Sequence, residues 1–281
     1  MPELPEVETV RRGLAPKMLG RRFRHVRQNR PNLRFPFPEN FADRLTGQKV
    51  EHLGRRAKFL TLSLSSGEIL IMHLGMSGRF IIQDEKPGDF YHQTATANKH
   101  DHVVFHLEDD ITVIYNDPRR FGFMEIWPHA TLAAYPRLKD LGPEPLSNHF
   151  HSDYLDSALK MRKTPIKTAL LDQAVIAGLG NIYVCEALYR AGISPKRLAL
   201  NVPGERAKRL VPAINSVISE AIEAGGSSIS DFSSTSGELG YFQHRFDVYG
   251  REGAPCKVCQ TPIKRLTQSG RSSFYCSICQ R

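Results

Sequence analysis

No apolar stretch of the 281-residue chain approaches the roughly 18 residues that a membrane-spanning helix needs. The opening Met1-Pro2-Glu3-Leu4-Pro5-Glu6-Val7-Glu8 is acidic, where an export signal would be basic and then apolar. These absences lead us to expect a soluble, cytoplasmic protein. Acidic residues are outnumbered, 29 against 38 Lys and Arg, giving a formal net charge of +9. That excess favours a polyanionic partner, because each phosphate neutralised releases condensed counterions; a basic enzyme with no nucleic-acid role has the same balance. With 41% hydrophobic and 24% charged residues, disordered and fibrous classes are excluded. There is no internal repeat, and the length suits two domains.

Cysteine is scarce outside the last 26 residues, where four of the five lie. Cys185 stands alone in a helical stretch and reads as a small buried hydrophobe. The other four form Cys256-x2-Cys259 and Cys276-x2-Cys279 with sixteen residues between the pairs. Each pair puts two thiolates on one tight turn, and two such turns close a tetrahedron around zinc. Disulfides are the alternative, but nothing points to an oxidising compartment. Four thiolates leave no open coordination position, so the expected zinc is single and structural.

Pro5 suits a first helical position, and Val7, Val10, Leu14 and Met18 recur at helical spacing. Beyond Gly20 the pattern becomes strand-like. Leu60, Leu62 and Leu64 alternate, Ser65-Ser66-Gly67 turns, and Ile69 to His73 returns; His102 to Leu107 and Ile111 to Tyr115 flank a second turn at Glu108-Asp109-Asp110. The first half therefore reads as antiparallel β behind a leading helix. Pro, Gly and Asn accumulate near 128–150, suggesting a linker. Helices are expected over Tyr154–Lys160, Ile166–Ile176, Ile182–Ala191 and Glu205–Ala224, and the Gly/Ser-rich stretch from Gly225 to Gly240 reads as a mobile loop.

Gly178-Leu179-Gly180-Asn181-Ile182 puts two glycines and an Asn before a helix. This is either an anion site of exposed amides or an ordinary turn capped by Asn181. In the cysteine-rich module Lys257, Lys264, Arg265, Arg271 and Arg281 face only Glu252, which makes phosphate a sensible ligand. Pro2 is small enough that removal of Met1 is expected, leaving a secondary amine. An α-amino group titrates near 7.7–8.0, and the positive end of the following helix lowers that further. Such an amine converts an aldehyde-level carbon directly into an iminium, with Glu3 and Glu6 near enough in sequence to move protons. Most Met-Pro starts are inert, so the case depends on the rest of the chain. His100, His102 and His106 read as sheet-surface histidines, with a metal pair at His100 and His102 as the lesser alternative.

Pro2-Glu3-Leu4-Pro5-Glu6-Val7-Glu8-Thr9-Val10 resembles the N-terminal signature of bacterial formamidopyrimidine-DNA glycosylases. The resemblance continues through Gly54-Arg55-Arg56-Ala57-Lys58-Phe59-Leu60, His73-Leu74-Gly75-Met76-Ser77-Gly78 and Asn116-Asp117-Pro118-Arg119-Arg120-Phe121-Gly122. It then takes in the block from Gln173 to Tyr183 and the four-cysteine finger, in family order over the whole chain.

The resemblance implies an α+β fold: an N-terminal β-sandwich with its leading helix over 1–128, a linker over 129–150, a helix-two-turn-helix domain over 151–245 and a zinc finger over 246–281. It implies a monomeric, nucleoid-associated enzyme that removes 8-oxoguanine opposite cytosine, and formamidopyrimidines, from double-stranded DNA. Abasic sites are then cut by β,δ-elimination. Pro2 would be the nucleophile, Glu3 its acid/base partner and Glu6 a supporting group. Lys58, Asn181 and Arg271 match phosphate-gripping residues, Lys58 and Arg271 being counted with the catalytic set. His73, Tyr249 and Arg265 are weaker DNA-contacting matches, and His100, which has no clear counterpart in the family, is counted with the DNA-binding residues. Met76 and Phe121 match the fillers of the gap that a flipped base leaves, and Arg119, beside them, matches the residue that meets the orphaned cytosine. The loop near 225–243 matches the segment that closes over the flipped base. Two other readings remain at this point. One is a non-catalytic DNA binder, which needs no N-terminal secondary amine; the other is an endonuclease VIII-type enzyme acting on oxidised pyrimidines, which Leu4 to Thr9 and Arg119-Arg120-Phe121 disfavour.

Overall fold

The chain begins with the expected amphipathic helix, α1 (Leu4–Met18), with Pro5 in its first turn and Val7, Val10, Leu14 and Met18 all buried. Strand β1 (Phe23–Gln28), a short helix α2 (Phe41–Leu45) and strands β2 (Val50–Arg56), β3 (Phe59–Leu64), β4 (Glu68–His73) and β5 (Arg79–Asp84) follow. Then come β6 (Asp101–Leu107), β7 (Ile111–Asn116) and β8 (Phe123–Pro128). This computed structural model describes residues 2–84, 98–227 and 241–281.

The eight strands form two antiparallel four-stranded sheets, ordered β1-β6-β7-β5 and β2-β3-β4-β8. Both expected hairpins are present: Leu60 pairs with Met72 across β3–β4, and Phe105 with Val113 across β6–β7. Three residues, Glu108 to Asp110, join β6 to β7, and Asp109 and Asp110 both adopt positive φ (58° and 53°) in that tight turn. One apolar core joins the sheets and α1 through Val7, Leu14, Phe23, Leu62, Met72, Phe105 and Val113. This is the β-sandwich, and the first of two units, built from residues up to Lys139 together with Ser227.

The stretch 129–150, expected as a linker, is not a free spacer. Tyr135 is buried against Ile69 and Ile71 and lies 5.3 Å from the Trp127 ring. Farther along, Gly142 donates to the Gln173 carbonyl and Ala177 to that of Pro143, both at 2.9 Å. The composition marks irregular backbone correctly, but side chains such as Tyr135 and Phe150 are buried.

The second unit, Asp140–Gly226 with Tyr241–Arg281, holds helices α3 (Ser152–Leu159), α4 (Ile166–Leu171), α5 (Asn181–Arg190) and α6 (Glu205–Glu223), and a hairpin of β9 (Lys264–Gln268) and β10 (Arg271–Tyr275). The helix expected over Ile166–Ile176 stops at Leu171. Asp172 turns extended and its Oδ1 accepts the Ala174 N–H at 3.0 Å. The Gln173 side chain then binds the Leu171 and Leu179 carbonyls and the Gly178 N–H. Side chains thus build the turn that leads to α5. No helix among the described residues is long and apolar enough to cross a membrane.

Candidate functional site

Pro2, Glu3 and Glu6 are all buried at the start of α1, Glu3 only 4% and Glu6 2% exposed. A capping box joins the two carboxylates to the helix end: the Glu3 N–H donates to Glu6 Oε2 at 2.9 Å. Glu6 Oε1 accepts both the N–H and the hydroxyl of Ser227, each at 2.9 Å. Both oxygens of Glu6 are therefore engaged in holding backbone, the Glu3 peptide on one side and the Ser227 peptide on the other. The remainder of the Gly/Ser loop, 228–240, lies outside the described residues.

Lys58 occupies the β2–β3 turn, where Ala57 takes a positive φ of 52° and its carbonyl accepts Arg55 Nη1 at 2.8 Å. The lysine is largely buried. The β3–β4 register sets Phe59 against His73, whose ring lies 5.1 Å from Phe59 and stacks on Phe123 at 5.3 Å. His73 Nδ1 accepts the Gly75 N–H at 3.0 Å. Burial, then the charges of Lys58, Arg34 and Arg137, take its pKa down to about 4.

Phe121 is 45% exposed, Met76 is half-buried and Arg119 is exposed with its guanidinium 5.0 Å over the Phe121 ring. A cavity of about 480 Å³ opens here, lined by Asn32, Leu33, Arg34, Arg119, Arg120 and Phe121. Three guanidinium groups, an amide and an aromatic face suit a flat polar ring or a phosphate. His100 lies in the turn before β6 and not on the strand. His102 is not a surface histidine: it is 2% exposed, with Nε2 2.8 Å from the Asp117 carbonyl. The strand's alternation is broken by a bulge between Asp101 and Val103, which the sequence pattern does not reveal.

In the second unit Gly180, not Asn181, is the N-cap of α5. Asn181 is the first helical residue; its Nδ2 donates to the Ser272 carbonyl at 3.0 Å and lies 3.5 Å from the Tyr249 hydroxyl. Arg265 Nε donates to Ser272 Oγ at 3.0 Å, and Arg271, exposed, immediately precedes Ser272 at the start of β10. Asn181, Tyr249, Arg265 and Arg271 therefore gather around one strand. Two buried ionisable residues missed by sequence reasoning organise this cluster. Lys167 Nζ donates to the Ser272 carbonyl at 2.8 Å and Ser273 Oγ at 2.7 Å. Glu186 accepts the N–H groups of Asp247, Val248 and Tyr249 at 2.7–3.0 Å. A lone charge inside Ile166–Leu170 and inside Val184–Leu188 was the available signal, since such residues are rarely buried without partners.

The cysteine Sγ atoms all lie within 4.8 Å of one another, with Cys256 and Cys279 3.8 Å apart and Cys259 and Cys276 3.4 Å apart. Zinc–sulfur bonds of about 2.3 Å in a tetrahedron need sulfurs about 3.8 Å apart, so the donor set fits one structural zinc. Among the described residues this is the one group of three or more His, Cys, Asp or Glu so placed. Cys185 stays outside it, buried and packed beside Val248, Ile263 and Cys276.

Family models for the formamidopyrimidine-DNA glycosylase N-terminal domain and H2TH domain match residues 1–124 and 141–233. A formamidopyrimidine-DNA glycosylase from Ruegeria pomeroyi is 59% identical with both chains fully covered. The crystal structure of MutM (Fpg) from Thermus thermophilus superposes with a TM-score of 0.86 at 40% identity, covering 99% of this chain and 98% of that one. A Lactococcus lactis Fpg mutant in complex with Fapy-dG-containing DNA gives 0.90 at 32% identity, with both chains fully covered. With its sandwich, its helical module and its four-thiolate centre all in that family's order, the chain belongs to the formamidopyrimidine-DNA glycosylases, the DNA glycosylases of base excision repair.

Proposed function

We propose that this glycosylase excises oxidised purines, 8-oxoguanine opposite cytosine and formamidopyrimidines, with Pro2 as its nucleophile, and then opens the strand by β,δ-elimination. The observation that carries the reading is the burial of Pro2 with Glu3 and Glu6 at the positive end of α1. Once Met1 is removed, the Pro2 nitrogen attacks the sugar C1′. The base leaves with the glycosidic electron pair, and a proton from an acid replaces that bond. The secondary amine loses its one proton, and the C1′–O4′ bond breaks as O4′ is protonated, which leaves the ring-opened iminium on Pro2. Loss of a C2′ proton then expels the 3′ phosphate, and a second elimination expels the 5′ phosphate. Glu3 is the group assigned to proton transfer at the sugar. Glu6, with both oxygens occupied, is assigned to holding the Glu3 peptide and Ser227 in place.

Lys58, His73, His100, Asn181, Tyr249, Arg265 and Arg271 are assigned to the DNA backbone, where such contacts fix register and carry no sequence information. Met76 and Phe121 fill the emptied stack, and Arg119 meets the orphaned cytosine. The zinc holds β9 and β10 and takes no part in the reaction. The protein acts as a monomer on the bacterial nucleoid.

The test is borohydride trapping on a duplex with one 8-oxoguanine opposite cytosine, using protein with a trimmed N-terminus verified by mass. A shifted band that disappears in Pro2→Gly is expected. A Pro2→Gly protein that still traps and turns over at the wild-type rate overturns the covalent mechanism. Trapping only on oxidised pyrimidines reassigns the substrate.

A further inference from the structure

Asp117 is fully buried just beyond β7, and no role falls to it in the chemistry above. Its Oδ1 accepts the Ser77 hydroxyl at 2.6 Å, and Oδ2 accepts the Gly122 N–H at 2.9 Å and the Tyr115 hydroxyl at 3.3 Å. Its own carbonyl takes the Arg120 N–H at 3.2 Å and faces His102 Nε2. Ser77 Oγ in turn accepts the Arg119 N–H at 3.1 Å. The one hydroxyl next to Met76 thus donates into the 117–122 loop and accepts from it.

The backbones are in equally close contact. Gly75 has φ of +65°, and a Cβ there would lie 2.3 Å from the Phe121 carbonyl carbon. A Cβ on Gly122 would lie 1.8 Å from the Tyr115 hydroxyl. Two segments forty residues apart in sequence are therefore packed backbone on backbone and tied by a carboxylate that accepts three donors from three directions. Met76, Arg119 and Phe121 each sit within two residues of a tie.

We propose that Asp117, Ser77 and Tyr115 form a latch that fixes the 74–78 and 117–122 loops as one rigid wedge. Met76, Phe121 and Arg119 then enter the duplex together and do not order one by one. This rests on the filler roles assigned above. Ser77, Tyr115 and Asp117 are all buried and act through their neighbours; they are positioning residues, and pre-ordering removes an entropy cost at the moment of base eversion.

The test compares Ser77→Ala with wild type in three measurements: single-turnover excision of 8-oxoguanine opposite cytosine and opposite adenine, cleavage of a single-stranded abasic oligonucleotide, and thermal unfolding. Single-stranded DNA has no stack to fill, so it reports the chemistry without the wedge. Losing the two-way hydroxyl is expected to slow duplex excision about tenfold and to narrow the preference for cytosine. Single-stranded cleavage is expected to stay within about twofold. If the two activities fall in proportion, or neither falls, the latch is wrong. If Ser77→Ala is unfolded at the assay temperature, Tyr115→Phe, which gives up only the 3.3 Å bond, must show the same split more weakly. Met76→Ala and Phe121→Ala separate the two levels of argument. If they slow excision and the latch variants do not, only the latch fails; if they have no effect, the filler reading fails and the latch with it.

Discussion

His73, assigned above to the DNA backbone, is kept uncharged by its surroundings. Accepting the Gly75 N–H uses the Nδ1 lone pair, which places the ring proton on Nε2 and makes the side chain a neutral donor. Protonation would break that bond and put a cation among aromatic rings near Lys58, Arg34 and Arg137. Burial and those charges together lower the pKa from 6.5 to about 4. The unfolded chain therefore binds a proton between pH 6.5 and 4 that the folded chain refuses. Stability from this site is complete above pH 6.5 and falls as the pH drops toward 4, by roughly 3 kcal/mol at most. Replacing His73 by Gln removes that titration. Urea unfolding at pH 7.5 and 4.5 is expected to show a smaller acid loss for His73→Gln than for wild type; equal losses would exclude the neutral, buried ring. A neutral donor releases no counterion, so the same variant is expected to weaken DNA binding with the salt slope unchanged.

At the scale of elements, α1 is fixed to its sheet by Glu8 as well as by its apolar face. Glu8 is 8% exposed, and its carboxylate meets Arg11 at 2.8 Å, Arg12 at 3.0 Å and Arg55 of β2 at 3.2 Å. Burial alone would raise its pKa, but the hydrogen bonds from Arg11 and Arg12 and the nearby charges outweigh it and take the value to about 2. The folded state thus holds the charged form more tightly than the unfolded chain, whose group titrates at 4.5. Its stabilisation is present above pH 4.5 and lost as the pH falls through about 2, a window below that of His73. Glu8→Gln is expected to destabilise by roughly 2–3 kcal/mol at pH 7, and the gap to wild type should shrink to about half at pH 3; a constant gap would contradict the charge assignment. The apolar spacing of α1, both hairpins and the paired CxxC turns were legible because each is a local pattern within a few residues. The end of α4 and the cap of α5 were less so, because the side chains of Asp172 and Gln173 decide them. Burial of Lys167 could not be read in any local window, since its partners lie 105 and 106 residues away. The bulge that buries His102 and the packing of Tyr135 depend likewise on distant strands. In the candidate site, Pro2, Glu3 and the residues assigned to phosphate were legible in motif order, whereas the tie from Glu6 to Ser227 spans 221 residues.

For the whole molecule, the count of 38 Lys and Arg overstates the cations that are free to meet DNA. Arg21, Arg24 and Arg44 are paired with Asp109, Asp110 and Glu68, and Lys257 with Asp247. The polar groups assigned to DNA in the second unit depend on β10: Asn181 binds the Ser272 carbonyl, Arg265 the Ser272 hydroxyl, and Arg271 is the strand's first residue. A two-stranded hairpin is marginal in water by itself. Here Cys276 follows β10 directly and Cys259 precedes β9, so one zinc closes the ends of both strands, and its binding energy is folding energy for the hairpin. Two perturbations should therefore differ in kind. Arg271→Ala deletes one cation from an intact surface and is expected to lower the slope of log K against log salt by about one, equally for damaged and undamaged duplexes. Chelation of the zinc, or Cys259→Ser, dissolves the strand that positions several groups and is expected to remove two or more from that slope along with most of the affinity. Fluorescence anisotropy of a labelled duplex over a potassium chloride series measures both. If the chelated protein keeps the wild-type slope, the hairpin does not need its metal, and the DNA-facing role of Asn181, Arg265 and Arg271 as one surface falls with it.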